Sequence, residues 1–259
     1  MRSGREPDRN RKNRAGKRVA KIFITVILMI CAMDFLNWRV EGDVWSPDYR
    51  KADLKEIIGR AELSDEDYHT ILMQTGLGRD SADKLLSENT GAGRVRIFKK
   101  YQDNFFAPEN YKCQNVAVIV HEERLRDKDG NLVRGFEIPD LRDGDILITK
   151  ATHSLGWRHG HAAIVTDASK GETLEAILLG NPSILQNVGK WQTFPSFIQL
   201  RLKDRKNDGP ERIAKYAKKE MLGVSYSIFA GIPVKAQDPI KKTQCSHLVW
   251  YPYDRFGYD

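Results

Sequence analysis

The sequence has 259 residues, of which 41% are hydrophobic and 30% charged, so the chain is long enough for one sizeable core and too polar for a protein with several membrane spans. The chain has 42 Lys and Arg residues and 35 Asp and Glu residues. Residues 1–21 contain nine of the basic and two of the acidic residues, which leaves 33 of each sign in 22–259. The net charge of +7 therefore comes from the N-terminal tail. The neutral remainder argues against a nucleic-acid partner.

The basic tail, 1–21, leads directly into a short apolar run. The twelve residues 22–33 are uncharged and mostly bulky, and the run extends through Asp34 to residue 38. A basic flank before such a run is typical of an export signal or signal anchor, although a full span needs roughly 20 residues. Because no small-residue cleavage site follows, we expect 22–38 to be an uncleaved single-pass anchor in the cell membrane. The tail would be cytoplasmic and the rest extracytoplasmic.

Residues 39–114 are predicted to form a helical lead-in region. Ser64 begins a capping-box pattern in front of an apolar stripe with helical spacing. Ser81 is the predicted N-cap of a second short helix. Gly91 and Gly93 are expected to interrupt the chain after it.

Residues 115–259 alternate extended and helical patterns, which predicts an α+β fold with an antiparallel sheet flanked by helices. Pro210 suits the first turn of a helix that ends before Gly223. Thr243 is the predicted N-cap of a last helix, which Pro252 should kink or end. The predicted strands lie at 116–120, 144–148, 161–165, 173–179 and 197–202.

Three residues of this domain could form a catalytic group. Cys245 would be the second residue of the helix capped by Thr243, where the helix dipole favours a thiolate. His161 lies in the strand HAAIV, in which alternation puts His161 on one face and Ala162 on the other. Glu175, across a short hairpin, could accept the second imidazole N–H and orient the ring. Spacing alone makes a distant Cys and His weak grounds for a catalytic pair.

The motifs around these residues resemble a known family. The stretch TQCSHLVWYPYDRFG is similar to the nucleophile helix of the NlpC family of cell-wall cysteine peptidases, which are papain-like. LRDGDILIT resembles the family's "pGDil" strand, and GHAAIVTD resembles its histidine strand. Because His161 precedes Cys245, the order is similar to the circularly permuted YiiX/YebB-like branch. The resemblance covers about 115–259 and implies a permuted papain-like fold.

The resemblance also implies an activity. Family members hydrolyse peptide amide bonds, often in peptidoglycan stem peptides, and some permuted relatives act on lipids or acyl groups. Cys245 would then be the nucleophile and His161 its base, with no cofactor, and Tyr226 resembles the tyrosine upstream of the nucleophile. His159 and Trp157, in the loop before His161, are expected to bind substrate, with a solvated loop as the alternative.

Other arrangements of these side chains remain open. A disulfide between Cys113 and Cys245 would make the thiol structural. A zinc site could be drawn from His159, His161, Cys245 and His247, but the pattern lacks ordinary zinc spacing, so no metal is predicted.

A non-enzymatic binding module is the competing class of function. Residues 71–86 resemble a helix-hairpin-helix, in which glycine amides at a helix N-terminus contact a nucleic-acid phosphate. Arg79 and Lys84 are the only nearby cations. We therefore favour a glycine-broken turn that packs two short helices. The sequence predicts no oligomeric state.

Overall fold

The computed structural model describes residues 9–40, 47–106, 111–117, 120–135, 137–154, 157–203, 209–231 and 240–258. In this part of the chain the architecture is α+β, with a mainly antiparallel arrangement of strands and helices packed around it. The helices are α1 Arg9–Val40, α2 Lys55–Ile58, α3 Asp65–Thr75, α4 Arg79–Glu88, α5 Ala92–Phe106, α6 Gly209–Met221 and α7 Cys245–Arg255. The strands are β1 Tyr111–Ala117, β2 Val120–Leu125, β3 Ile146–Thr149, β4 Thr152–Ser154, β5 His161–Asp167, β6 Glu172–Glu175, β7 Ile184–Asn187, β8 Ile198–Leu200, β9 Ser225–Tyr226 and β10 Lys242–Thr243.

Helix α1 contains the segment predicted to be a membrane anchor, 22–38. No helix in the described ranges combines the length and the apolar character needed to cross a membrane. Asp34, which interrupts the apolar run, lies 3.0 Å from Nε2 of the buried His121 on β2. The C-terminal half of α1 therefore contacts the folded domain through a polar pair.

The helical region has a core of its own. Its buried apolar side chains come from α2 to α5, among them Ile71 and Phe98. The Ser64 capping box is confirmed, because the Ser64 hydroxyl accepts from the N–H of Asp67 and the Asp67 carboxylate accepts from the N–H of Ser64. The prediction of Ser81 as a cap is wrong, since α4 already begins at Arg79 behind Gly78.

Helix α5 is a further difference from the sequence prediction. Gly93 lies inside it, where a chain break was expected. The helix forms because its apolar residues pack against α3, and this burial outweighs the low helix propensity of one glycine. Strand β1 begins at Tyr111, so the predicted boundary between 114 and 115 falls within a strand.

A five-stranded antiparallel sheet carries two of the candidate catalytic residues, His161 and Glu175. Its order is β7-β6-β5-β3-β8, which puts β5 in the centre. The predicted hairpin between β5 and β6 is confirmed, with a 3₁₀ turn at Ala168–Lys170 and pairing of Ile164 with Leu174. The predicted strand at 173–179 ends at Glu175, and the one at 197–202 is limited to Ile198–Leu200.

The two faces of β5 enter two different cores. Ala162 and Ile164 pack against α6 and α7, whereas Ala163 and Val165 pack against Trp191. This confirms the predicted alternation along the strand. Because both faces are covered, β5 is buried along nearly its whole length, as a central strand must be.

The other strands form two smaller sheets. β1, β2 and β4 form an antiparallel sheet, and β9 pairs in parallel with β10. The predicted strand at 116–120 is divided between β1 and β2, and its residues 118–119 lie outside the described part of the chain.

Gly144, just before β3, lies where the backbone closely approaches helix α6. It has φ of +82°, and a Cβ there would lie 2.6 Å from the carbonyl oxygen of Pro210 in the first turn of α6. Only glycine allows both this conformation and this close approach. The next residue, the buried Asp145, accepts hydrogen bonds from Arg201 and Gln199 on the β8 side. The strand predicted at 144–148 accordingly begins later, at Ile146.

Candidate active site

Cys245 is the first residue of α7. The N-cap is Gln244, whose side-chain oxygen accepts from the N–H of Ser246 at 3.0 Å, so the prediction of Thr243 as the cap is wrong. Thr243 instead pairs with β9 as part of β10 and is extended. The thiol is half-buried, and Cys245 is a free cysteine, which excludes its disulfide with Cys113. The side chain of Cys113 lies outside the described part.

The helix α7 differs from the prediction at its other end as well. Pro252 lies inside the helix, which continues to Arg255, so Pro252 does not end the helix, one of the two outcomes expected for it. Proline removes one backbone donor. The buried aromatic residues Tyr251 and Tyr253 fix the helix around it, with the Tyr253 hydroxyl donating to the carbonyl of Gly144.

His161 is the first residue of the central strand, directly after a tight turn. Gly160 in that turn has φ of +75°, and a Cβ there would lie 2.6 Å from the Thr149 carbonyl oxygen. The imidazole of His161 is buried, stacks on Trp191 with ring centroids 5.7 Å apart, and its Nε2 lies 2.8 Å from Oε2 of Glu175. The Glu175 carboxylate thus holds Nε2, which leaves Nδ1 for the thiol.

Glu175 is completely buried and has four hydrogen-bonding partners. Its Oε2 accepts from His161 and from Nζ of Lys190 at 3.1 Å. Its Oε1 accepts from the indole N–H of Trp191 and from the hydroxyl of Thr173, both at 2.9 Å. A buried carboxylate with four donors is fixed in position and remains ionised.

The electrostatics of the group favour an ion pair. Burial raises the pKa of Cys245, but the hydrogen bond with His161 and the N–H groups of Ala162 and Ser246 outweigh it, so the pKa is lowered. Burial lowers the pKa of His161, but hydrogen bonds with Cys245 and Glu175 raise it overall. Burial likewise raises the pKa of Glu175, and His161 and Lys190 together lower it well below its usual range. The sum of these effects stabilises thiolate, imidazolium and carboxylate together.

Tyr226 lies beside this group. It is the second residue of β9 and pairs with Thr243 on β10, two residues before Cys245. Burial and the charge of Cys245 both raise the pKa of the Tyr226 phenol, which keeps it protonated and able to donate a hydrogen bond. The structure therefore brings together Cys245, His161, Glu175 and Tyr226 from four separate elements.

The other predicted substrate-binding residues do not contact the thiol. The ring of His159 is exposed, with Nε2 2.8 Å from the Ser154 hydroxyl and Nδ1 2.8 Å from the carbonyl of Gly160. Both nitrogens of His159 are therefore used within its own loop. The side chain of Trp157 is 76% exposed. A binding role for these two residues stays a prediction.

The structure also shows where the residues of the alternative metal and nucleic-acid sites lie. His247 turns away from the thiol and bonds through Nδ1 to the Thr243 hydroxyl at 3.1 Å. In the described ranges, no group of three or more His, Cys, Asp or Glu is placed to hold a metal ion. In the helix-hairpin-helix-like segment, Arg79 pairs with Asp65, and Lys84 lies 4.0 Å from Glu88. Both cations of that segment therefore face carboxylates of the same chain.

Sequence reasoning missed the residues that hold Glu175. Thr173 lies two residues before Glu175 on β6, so strand alternation could have placed the two side chains on one face. Lys190 and Trp191 belong to a 3₁₀ helix, Val188–Thr193, whose side chains follow no strand or helix period that points to the site. Gln244 is not one of the residue types favoured at an N-cap, so the sequence pattern did not identify it as the cap of α7.

The chain matches no family model, no curated protein and no solved structure. The resemblance to the NlpC family consequently rests on the sequence motifs alone.

Proposed function

We propose that the chain is a cysteine hydrolase in which Cys245 is the nucleophile, His161 the general acid and base, and Glu175 the residue that orients the imidazole. The single observation that carries this proposal is the position of a half-buried thiol at a helix N-terminus beside an imidazole, which a buried carboxylate holds by its other nitrogen. Structural cysteines in apolar cores have raised pKa values, whereas this environment lowers the pKa.

The reaction proceeds in two steps. The thiolate attacks the carbonyl carbon of an amide, a C–S bond forms, and the C–N bond breaks as His161 gives its proton to the leaving amine. His161 then takes a proton from water, which attacks the thioester and releases the acid and the thiol. The N–H of Cys245 and the hydroxyl of Tyr226 stabilise the oxyanion in both steps. No cofactor enters this scheme.

The proposed fold is a circularly permuted relative of the papain-like fold. In support, the strand that carries the histidine precedes the helix that carries the cysteine, and the N-terminus of that helix meets the first residue of the central strand. A new chain order leaves such a site intact, because only the final positions of the side chains matter.

The substrate that the motif resemblance implies is a peptide amide bond, as in peptidoglycan stem peptides. Residues 22–38 are proposed as the attachment to the cell membrane, which would keep the domain outside the cytoplasm and near wall precursors. The order of nine cations followed by twelve uncharged residues supports this location. Alkaline carbonate extraction of membranes tests it: the full chain should stay in the pellet and a chain without 1–38 in the supernatant.

The experiment that tests the activity uses the purified protein with muropeptides and with phospholipids, and mass spectrometry detects the products. Cys245→Ala should abolish product formation. Cys31→Ala is the matched control, because Cys31 is also a free cysteine but is exposed on α1. Product that persists in Cys245→Ala would refute the proposed nucleophile.

A further inference from the structure

Lys190 is a largely buried cation for which the reaction described above has no use. Its side chain is 20% exposed, and its Nζ lies 3.1 Å from Oε2 of Glu175. The same oxygen lies 2.8 Å from Nε2 of His161. One carboxylate oxygen is therefore shared by an ammonium and an imidazole. Charges within about 6 Å of each other are close enough to shift a pKa.

The backbone of Lys190 is fixed by Arg124, which lies on β2. The guanidinium donates to the carbonyl of Lys190 and to the hydroxyl of Thr193, both at 2.8 Å. The same guanidinium lies 3.6 Å from the centre of the Phe194 ring. The end of the 3₁₀ helix is thus attached to β2. The side chain of Lys190 consequently extends towards Glu175 from a backbone that is held in place.

The ammonium of Lys190 also has a second carboxylate beside it. Oε1 of Glu122 on β2 lies 3.9 Å from Nζ, and Oε2 of Glu122 accepts a hydrogen bond from Arg124. Glu122 and Arg124 are both buried. Lys190 therefore lies between buried carboxylates of β2 and β6, where solvent screens little of its charge.

We propose that Lys190 is a positioning residue of the catalytic group and that β2 holds it in this role. Its ammonium fixes the oxygen of Glu175 that orients His161, and it draws part of the carboxylate's charge away from the imidazolium. The inference rests on the proposed function, in which His161 must give a proton to the leaving amine. An imidazolium that has a carboxylate to itself is a weak acid, so a second cation on that oxygen makes the proton transfer easier.

The charged and titratable groups that face the imidazole come from three elements. Burial lowers the pKa of His161, hydrogen bonds with Cys245 of α7 and Glu175 of β6 raise it, and the charge of Lys190 lowers it, with a result of about 9. Trp191, which stacks on the ring, carries no charge. Removal of the ammonium should therefore raise the pKa further, so that the imidazolium persists to higher pH.

The test compares Lys190→Met, which removes the charge, with Lys190→Arg, which keeps it. Hydrolysis of muropeptides is measured across the pH range. In Lys190→Met we expect kcat to fall about tenfold with KM nearly unchanged, and the alkaline limit to rise by about one pH unit. Lys190→Arg should keep the wild-type limit and restore kcat to within about threefold of wild type.

Lys218→Met is the matched control, because Lys218 donates to Glu172 on the same strand as Glu175 and lies away from the imidazole. It should leave both kcat and the alkaline limit unchanged. Lys190→Gln keeps a hydrogen-bond donor without the charge, and it takes the place of Lys190→Met if circular dichroism shows that the methionine variant does not fold.

A titration of the His161 imidazole by ¹⁵N NMR, assigned with His161→Gln, gives the same information without turnover. The pKa of His161 should rise from about 9 to about 10 in Lys190→Met. A purely structural Lys190 would lower stability without this rise. If the wild type hydrolyses muropeptides through Cys245 but the limit and the titration stay unchanged in Lys190→Met, the role of Lys190 is overturned and the proposed function stands. If no hydrolysis depends on Cys245, the proposed function fails, and the titration still decides whether Lys190 acts on His161.

Discussion

Replacing Glu175 by Gln tests the electrostatic basis of the candidate site. Oε1 of the carboxylate accepts from Trp191 and Thr173, and Oε2 accepts from His161 and Lys190. Glutamine has nearly the same shape but one NH₂ group in place of an acceptor oxygen. Either orientation of that amide puts the NH₂ against a group that can only donate, the indole N–H on one side or the Lys190 ammonium on the other. The variant thus loses both the charge and part of the hydrogen-bond network.

The size of the effect follows from the bond between Glu175 and His161. A hydrogen bond to a charged group contributes about 1.5–3 kcal/mol. If the transition state needs the imidazolium in this orientation, kcat/KM should fall by about 10- to 100-fold, since each 1.4 kcal/mol is about tenfold. The loss of the negative charge also lowers the pKa of His161, so the alkaline limit of activity should move to lower pH.

The assay is ester or amide hydrolysis across the pH range, together with the rate at which iodoacetamide alkylates Cys245. Glu172→Gln is the matched control: Glu172 lies on the same strand and accepts from Thr166 and Lys218, away from the sulfur. It should leave the pH profile unchanged. A Glu175→Gln protein that keeps the wild-type rate and the wild-type alkaline limit would refute the assignment of Glu175.

Three further predictions concern pH, backbone conformation and ring contacts. Burial lowers the pKa of His161, but hydrogen bonds with Cys245 and Glu175 raise it to about 9. The rate of hydrolysis should therefore decline as pH rises through about 9, whereas the rate of alkylation of Cys245 should not. Parallel declines of the two rates would contradict the role of His161 as the acid. Gly160 has a positive φ, and Gly160→Ala adds a Cβ 2.6 Å from a carbonyl oxygen. The substitution should lower the free energy of unfolding by about 1–3 kcal/mol, measured by chemical denaturation. An unchanged denaturation midpoint would contradict this backbone conformation. Trp191→Phe removes one donor to Glu175 and should lower kcat about tenfold with KM nearly unchanged, measured by steady-state kinetics; an effect on KM alone would indicate substrate contact instead.

The sequence allowed good prediction of features that follow from a local pattern. The face alternation of His161 and Ala162 depends only on the two-residue period of a strand, and the capping box at Ser64 depends on residues three apart. Glu175 was located near His161 because a short hairpin determines which residues face each other. These features needed no knowledge of distant packing.

Features that depend on tertiary contacts were not predictable in the same way. Helix α5 forms through packing against α3, although Gly91 and Gly93 indicated an interruption. Lys190 and Trp191 reach Glu175 from a 3₁₀ helix beyond the edge strand β7, a relation that no sequence spacing specifies. The start of α7 also shifted by one residue, because Thr243 pairs with β9 and its backbone is extended rather than helical.

The position of Cys245 at the start of α7 explains how the thiol and the imidazole meet. Helix α7 packs on the face of β5 that carries Ala162 and Ile164, whereas His161 points to the opposite face and stacks on Trp191. A cysteine in the middle of α7 would therefore be separated from His161 by the sheet. Cys245 avoids this because it is the first residue of the helix and lies at the end of the strand, where the backbone N–H of Ala162 reaches its sulfur. Each residue turns an α-helix by about 100°. A cysteine one residue further along α7 would point about 100° away from this direction, so the position of Cys245 at the start of the helix matters as much as its residue type.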